Sequence, residues 1–243
     1  MSLLEVEGLT KRFGGVVALD RLSFRIQRET ISSLIGPNGA GKTTLFNCIT
    51  GILRPEEGRI LFGGSERLER YASHEIARFG IARTFQNIRL FQQLTVLENV
   101  LAGTHVRTRA GLLDTLNPMS GAHQEDRWAL ERSTRLLEML KLDGMRGRLA
   151  GELSYGQQRR LELARALVSD PEFLLLDEPA AGLTQEERRT LMEFLKGLKG
   201  QGMTILLIEH DMGVVMPISD WVVVLDDGAK IAEGPPKAVQ EDP

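Results

Sequence analysis

Gly36-Pro37-Asn38-Gly39-Ala40-Gly41-Lys42-Thr43-Thr44 is the stretch whose residue types and spacing most plainly do chemistry. It matches G-x-x-x-x-G-K-[ST], a loop whose backbone N–H groups cradle phosphate. Its glycines permit folding tight enough for successive N–H groups to converge on one anion. A helix beginning there adds unpaired N–H groups and the positive end of its dipole. Lys42 would reach the β- and γ-phosphates, and the Thr43 hydroxyl would hold Mg²⁺. A second concentration is Asp177-Glu178, adjacent carboxylates after the apolar run Phe173-Leu174-Leu175-Leu176. An acid at that place in phosphate-loop enzymes orients Mg²⁺, usually through water, and Asp177 takes the role. Glu178 is then placed to polarise an attacking water. A third is Leu153-Ser154-Tyr155-Gly156-Gln157-Gln158. Ser154 and Gln157 match the S-x-x-Q capping box, and Gly156 keeps the approach open, so this is another helix end suited to an anion. By itself it also describes an ordinary capped helix. The phosphate loop carries the conclusion that the chain binds a nucleoside triphosphate.

The elements around these residues must hold them in register. Residues 31–35 form an apolar run into the phosphate loop, and Leu45, Ile49 and Ile52 follow at helical spacing, with Gly51 near the helix end. Residues 3–9 and 18–26 read as short strands turned by Phe13-Gly14-Gly15, and 58–64 as another closed by glycines. A short helix is expected over 73–79 and a strand over 81–85, ending at Gln86. The texture then becomes helical. Thr95-Val96-Leu97-Glu98 is a capping box, and after a glycine- and proline-punctuated stretch, 111–121, a longer helix is predicted over 124–142. Its Ala129, Leu136 and Leu140 share a face, with Leu130 and Leu137 beside them. Leu161, Ala164 and Val168 mark a further helix, stopped by Asp170-Pro171. Residues 173–176 and 203–208 read as strands buried on both faces. Between them Thr184-Gln185-Glu186-Glu187 caps a helix to about residue 198. Residues 221–225, Asp226-Asp227-Gly228 and 230–232 give a hairpin signal. The expected fold is therefore α/β, with a largely parallel sheet, an antiparallel portion built from the N-terminal strands, and a helical insertion over about 88–165 between core segments 1–87 and 166–243.

A chain of 243 residues with 42% hydrophobic content can bury a sizeable core as one large domain or two small lobes. Its formal net charge of −3 offers no electrostatic case for nucleic acid as a partner. The single cysteine, Cys48, forms no internal disulfide, in keeping with a reducing compartment, and reads as a small buried packing residue. No apolar run approaches the roughly 20 residues that cross a bilayer, and the N-terminus lacks a basic region followed by an apolar one. These features predict a soluble, intracellular protein that meets the membrane, if at all, through partners.

With the phosphate loop, Leu153-Ser154-Tyr155-Gly156-Gln157-Gln158 and Asp177-Glu178 in this order, the chain resembles the nucleotide-binding subunits of ABC transporters over essentially all 243 residues. The resemblance implies a phosphate-loop (RecA-like) ATPase core with an antiparallel β subdomain and an inserted α-helical subdomain. It implies that Phe13 stacks on adenine, where the family often has Tyr. Gln86, in Thr84-Phe85-Gln86-Asn87, matches the glutamine that touches Mg²⁺ or water and senses the transmembrane partner. His210, in Ile208-Glu209-His210-Asp211, matches the histidine that contacts the γ-phosphate. One departure is Ala181-Gly182-Leu183-Thr184, where the family commonly reads Ser-Ala-Leu-Asp; the aspartate that bridges to the partner's phosphate loop is missing. Arg83-Thr84-Phe85-Gln86-Asn87-Ile88-Arg89-Leu90-Phe91, Leu94-Thr95-Val96-Leu97-Glu98-Asn99-Val100 and Glu178-Pro179-Ala180-Ala181-Gly182-Leu183 resemble more narrowly the larger ATPase subunit of branched-chain amino-acid importers. Similar proteins continue beyond the equivalent of Pro243 for a short helix, so the chain reads as a short or truncated version.

The resemblance implies ATP hydrolysis coupled to transport, with ATP and Mg²⁺ as ligands. One chain would supply the phosphate loop, Asp177, Glu178 and His210, and a second, identical or a sibling, Ser154 and Gly156. Integral-membrane permeases would be the other partners, holding the chain on the cytoplasmic face of the cell membrane, and no nucleic acid is expected. The alternative is a non-transport member of the family, a nucleotide-dependent switch, which usually carries two ATPase units or a very long coiled-coil insertion. A phosphate-loop nucleotide kinase is a more distant one, since it would need an acceptor pocket and no signature stretch, the Leu153-Ser154-Tyr155-Gly156-Gln157-Gln158 run that marks the resemblance.

Overall fold

The computed structural model describes residues 1–106 and 122–241. The stretch 111–121 lies outside the described residues. The chain divides into two units, Met1–Gln86 with Glu172–Pro243, and Asn87–Pro171.

The first unit holds two sheets. Strands β1 (Ser2–Phe13), β2 (Val16–Gln27), β4 (Glu57–Phe62) and β5 (Glu66–Arg67) form an antiparallel sheet in the order β2-β1-β4-β5. Strands β3 (Ile31–Ile35), β6 (Ile81–Arg83), β7 (Phe173–Asp177), β8 (Thr204–Ile208), β9 (Trp221–Asp226) and β10 (Ala229–Gly234) form the other, in the order β10-β9-β3-β8-β7-β6. It is parallel except where β10 returns beside β9, and every residue of β7 and β8 is buried. Such unbroken apolar strands suit a parallel sheet covered on both faces. Asp227 and Gly228 both take positive φ in the β9–β10 turn, the geometry an Asp-Gly hairpin calls for.

Helix α1 (Lys42–Ile49) sends Leu45, Phe46, Cys48 and Ile49 into a core shared with Leu4, Val6 and Phe24 of the antiparallel sheet and Leu34, Phe173 and Leu206 of the parallel one. Full burial of each such side chain is worth about 1.5–3 kcal/mol. Burial pushes the Cys48 thiol up to about 11, so it serves as packing. Ile52 does not continue the helix face. Gly51, at φ 68°, ends α1 in a left-handed turn and leaves Ile52 51% exposed. The strand expected over 81–85 is confined to 81–83. The unit also contains α2 (Ser73–Arg78), and α6 (Gln185–Gly200) with the Thr184/Glu187 capping box in place. Two short helices have no counterpart in the sequence pattern: α7 (Met212–Ile218), with Pro217 inside it, and α8 (Pro236–Glu241).

The second unit is helical among its described residues. Helix α3 (Val96–Ala102) opens on the Thr95/Glu98 capping box, followed by α4 (Ala122–Met139) and α5 (Tyr155–Leu167). On α4 the buried stripe runs through Ala129, Ser133, Leu136 and Leu137, with Leu140 buried just after the helix. Leu130 is 48% exposed, a correction to the pattern read from the sequence. It lies about 100° around the helix from Ala129, and the stripe at that level covers only the Ala129 side. Asn99 is fully buried and ties the preceding segment together, accepting from the Phe91 N–H and donating to the Phe91, Leu94 and Thr95 carbonyls.

Candidate functional site

In an open α/β sheet, ligands bind outside the carboxyl ends of the strands. Here β3 lies between β8 and β9, and the sequence β3-β8-β7-β6 sets four carboxyl ends side by side. The phosphate loop follows β3, Glu209-His210 follows β8, Glu178 follows β7, and Gln86 lies beyond β6. Leu34 and Asp177 both pair with Ile208, so three neighbouring strands end at nearly one level.

The loop is shaped by its glycines. Gly36 takes φ 146° and a Cβ there would lie 2.0 Å from the Leu225 carbonyl; at Gly41, φ 93°, it would lie 2.4 Å from the Ala18 carbonyl. Gly41 caps α1 without a side-chain hydrogen bond, and the first turn carries no acid. The N–H groups of that turn thus lack a side-chain acceptor, which is what an anion site at a helix end requires. Lys42 is 8% exposed and its Nζ donates to the Gly36 and Pro37 carbonyls at 2.7 and 2.8 Å. Burial lowers its pKa, opposed by the negative charges of Glu178 and Asp177. Pro37, Asn38, Gly39 and Thr43 are exposed, Ala40 is buried and Thr44 is half-buried. Phe13, 48% exposed at the end of β1, has the Lys11 ammonium 5.3 Å from its ring centre. Its hairpin abuts the loop through the Ala18 carbonyl at Gly41.

Three residues read from distant parts of the sequence meet here. Gln86 Nε2 donates to Glu178 Oε2 at 3.1 Å, and His210 Nδ1 lies 3.7 Å from Glu178 Oε1. Glu178 sits at φ 47°, a sparsely populated conformation for a residue with a side chain, and its N–H donates to the Ile208 carbonyl. Such backbone outliers cluster where geometry is functionally constrained. The arrangement can hold a carboxylate beside a phosphate cradle and take a proton there.

Sequence reasoning gave no role to Arg83 or Glu209. Arg83 donates to Asp177 Oδ2 at 3.0 Å and to Asn47 Oδ1 at 2.7 Å, with its guanidinium 5.3 Å from the Phe46 ring centre. It ties the acidic strand end to the helix behind the phosphate loop. The available signal was an arginine ending a short strand, which points to no partner. Glu209 is a buried carboxylate whose Oε1 accepts from the Ala180 N–H and Oε2 from the His210 N–H. In the segment 181–184, Thr184 caps α6, while Arg188 donates to the Leu183 carbonyl and pairs with Asp211 at 2.6 Å.

Ser154, Gly156 and Gln157 lie on the second unit, at the start of α5. Ser154 accepts from the Gln157 N–H at 3.4 Å while Gln157 Oε1 accepts from the Ser154 N–H at 2.9 Å. This helix end is self-capped, unlike that of α1.

Among the described residues no group of three or more His, Cys, Asp or Glu side chains could hold a metal, and no helix is long and apolar enough to cross a membrane.

Residues 19–181 match the family model described as ABC transporter. The chain is 44% identical over 242 residues to the high-affinity branched-chain amino acid transport ATP-binding protein BraF of Pseudomonas aeruginosa, covering 99% of this chain and 94% of the relative. It is 45% identical, with the same coverage, to LivG of Escherichia coli, whose description is otherwise the same. Among solved structures, a nucleotide-free ATP-binding cassette from an ABC transporter matches with TM-score 0.87 and 35% identity, covering 100% of this chain and 96% of that one. A dimeric cassette bound to ADP and Pi matches with TM-score 0.80 and 27% identity, covering 96% and 98%. With a phosphate cradle, a carboxylate at a nearby strand end of the same sheet and likeness over almost the whole length, the chain belongs to the ABC transporter family, as an ATP-binding subunit.

Proposed function

We propose that this subunit hydrolyses ATP to power import of branched-chain amino acids, as part of an ATP-bridged pair of ATPase subunits seated on integral-membrane permeases. The observation that carries the hydrolytic reading is the meeting of Gln86, Glu178 and His210 beside the phosphate loop. The identity to BraF and LivG supports the cargo class, and the dimeric cassette supports the pair.

The first turn of α1 and the loop N–H groups bind the phosphates, and Lys42 moves its ammonium from loop carbonyls to the β/γ-phosphate oxygens. Phe13 stacks on adenine. Glu178 takes the proton of the attacking water, its carboxylate oriented by the Gln86 amide, while His210 lies within reach of the γ-phosphate. Ser154, Gly156 and Gln157 of the second subunit bring another helix N-terminus to the same anion. Thr43 and Asp177, with Gln86, would be the protein donors for Mg²⁺. This small donor set suits an ion bound largely by phosphate oxygens and water, which would neutralise charge on the transferred group. The subunit attaches to the cytoplasmic face of the membrane through the permeases.

Glu178→Gln tests the reading. The amide keeps the shape and loses the base, so ATP binding persists while phosphate release falls by about a hundredfold or more. Size-exclusion chromatography with ATP and Mg²⁺ then shows a trapped dimer if the subunit self-pairs. Wild-type turnover in this variant would remove Glu178 as base. Radiolabelled leucine, isoleucine and valine uptake in cells lacking the subunit tests the cargo; unchanged uptake of all three rejects it.

A further inference from the structure

Glu209 is 1% exposed and, among the described residues, no lysine, arginine or histidine side chain forms an ion pair with it. A carboxylate in such a place is costly unless hydrogen bonds hold it. What holds it is backbone: the Ala180 N–H on one oxygen at 3.0 Å and the His210 N–H on the other at 3.2 Å. Burial raises its pKa, and hydrogen bonds from the Ala180, His210 and Asp211 N–H groups, with the nearby His210 imidazole, oppose the rise.

The His210 N–H belongs to the next residue in Glu209's own turn and orients the carboxylate, while the Ala180 N–H belongs to another turn, so the Ala180 bond is the one that crosses. Ala180 lies in the turn after β7 that begins with Glu178, and His210 in the turn after β8. The last backbone bond across this pair of strands, Glu178 N–H to the Ile208 carbonyl, lies where the two turns begin. Beyond it the ladder stops, and the Glu209 carboxylate continues the join. Glu178 Oε1 and His210 Nδ1, 3.7 Å apart, are thus carried by the two turns that the Glu209 side chain joins.

We propose that Glu209 is a positioning residue for ATP hydrolysis, its carboxylate fastening the turn that carries Glu178 to the turn that carries His210. The inference rests on Glu178 and His210 acting in hydrolysis as proposed above. An apolar side chain could fill the space but would orphan the buried Ala180 N–H. Glutamine could keep one N–H on its oxygen, while its NH₂ group would face the other N–H donor, so the side chain that joins the turns would be held at one end only.

The test is steady-state ATP turnover by the full-length chain, per folded molecule, with Glu178→Gln and His210→Ala in the same assay. Glu209→Ala is expected to lower kcat by about a hundredfold and Glu209→Gln by about tenfold, as a displacement near 1 Å can do. KM for ATP should stay within about threefold, because the phosphate loop lies on another strand. In the His210→Ala background, Glu209→Gln should cost less than about twofold more, since the partner it positions is gone. A merely structural role would instead give losses that multiply, or losses matching the unfolded fraction, and either result overturns the proposal. So does wild-type kcat in Glu209→Gln, or failure of that isosteric variant to fold. If wild-type chain shows no turnover, or Glu178→Gln and His210→Ala both retain it, the reading of the site fails rather than the role of Glu209.

Discussion

Arg83 and Asp177 are both nearly excluded from water, at the end of β6 and of the neighbouring β7. A buried carboxylate that loses its counter-charge is left uncompensated, at a cost of about 3–5 kcal/mol. Arg83→Met should therefore lower the urea midpoint by that amount divided by the m-value. Arg83→Lys should recover only part, since a single ammonium cannot reach Asp177 and Asn47 with the same planar fork. An unchanged midpoint in Arg83→Met would show that the pair contributes no net stability. Asp177 as an acid at a strand end is legible from Leu-Leu-Leu-Asp alone. Arg83 is not, because its meaning lies in a partner that only strand pairing supplies.

The phosphate loop with α1 is an element whose function depends on positions where no side chain fits. Gly39 and Gly41 have nearly the same φ, 89° and 93°, but different surroundings. A Cβ at Gly39 meets nothing within 4 Å, whereas at Gly41 it meets the Ala18 carbonyl at 2.4 Å and Leu19 at 2.9 Å. Without nucleotide, Gly39→Ala should cost about 1–2 kcal/mol of conformational strain. Gly41→Ala should cost more, because backbone of β2 must also shift. Chemical denaturation of the two variants checks the order, and equal losses would mean that the β2 contact yields freely. The capped ends of α3, α5 and α6 were readable as Thr95/Glu98, Ser154/Gln157 and Thr184/Glu187, since a capping box is local chemistry. Helices α7 and α8 were not, being short, without a capping box, and one carrying an internal proline.

For the whole molecule, the two helix ends suited to phosphate lie on different units, α1 on the first and α5 on the second. If they meet across a head-to-tail pair of chains, lesions at the two ends should complement. Lys42→Ala and Ser154→Arg, each expected to be inactive alone, should recover turnover when mixed with ATP, to at most half of wild type per mixed dimer if the sites act independently, and so to about a quarter in a randomly paired equal mixture. One composite site then combines an intact loop with an intact signature. The mixture is informative once the Glu178→Gln variant shows self-pairing. Absence of recovery in confirmed mixed dimers would mean that the signature acts within its own chain or that both sites must be intact. A linked dimer carrying one lesion separates these.

The sequence by itself determined the features whose physics is local. Residues 36–44 declare a phosphate cradle because glycine spacing, Lys42 and the flanking strand-to-helix pattern act within one turn of backbone. Unbroken apolar runs likewise declare β7 and β8 as buried strands, and with them an α/β fold. The tertiary structure alone decided which strand ends stand together. Gln86, Glu178 and His210 are far apart along the chain and meet because β6, β7 and β8 are neighbours beside β3. Glu209 becomes intelligible at the same level: its partners are backbone N–H groups of two turns, and backbone carries no sequence signal.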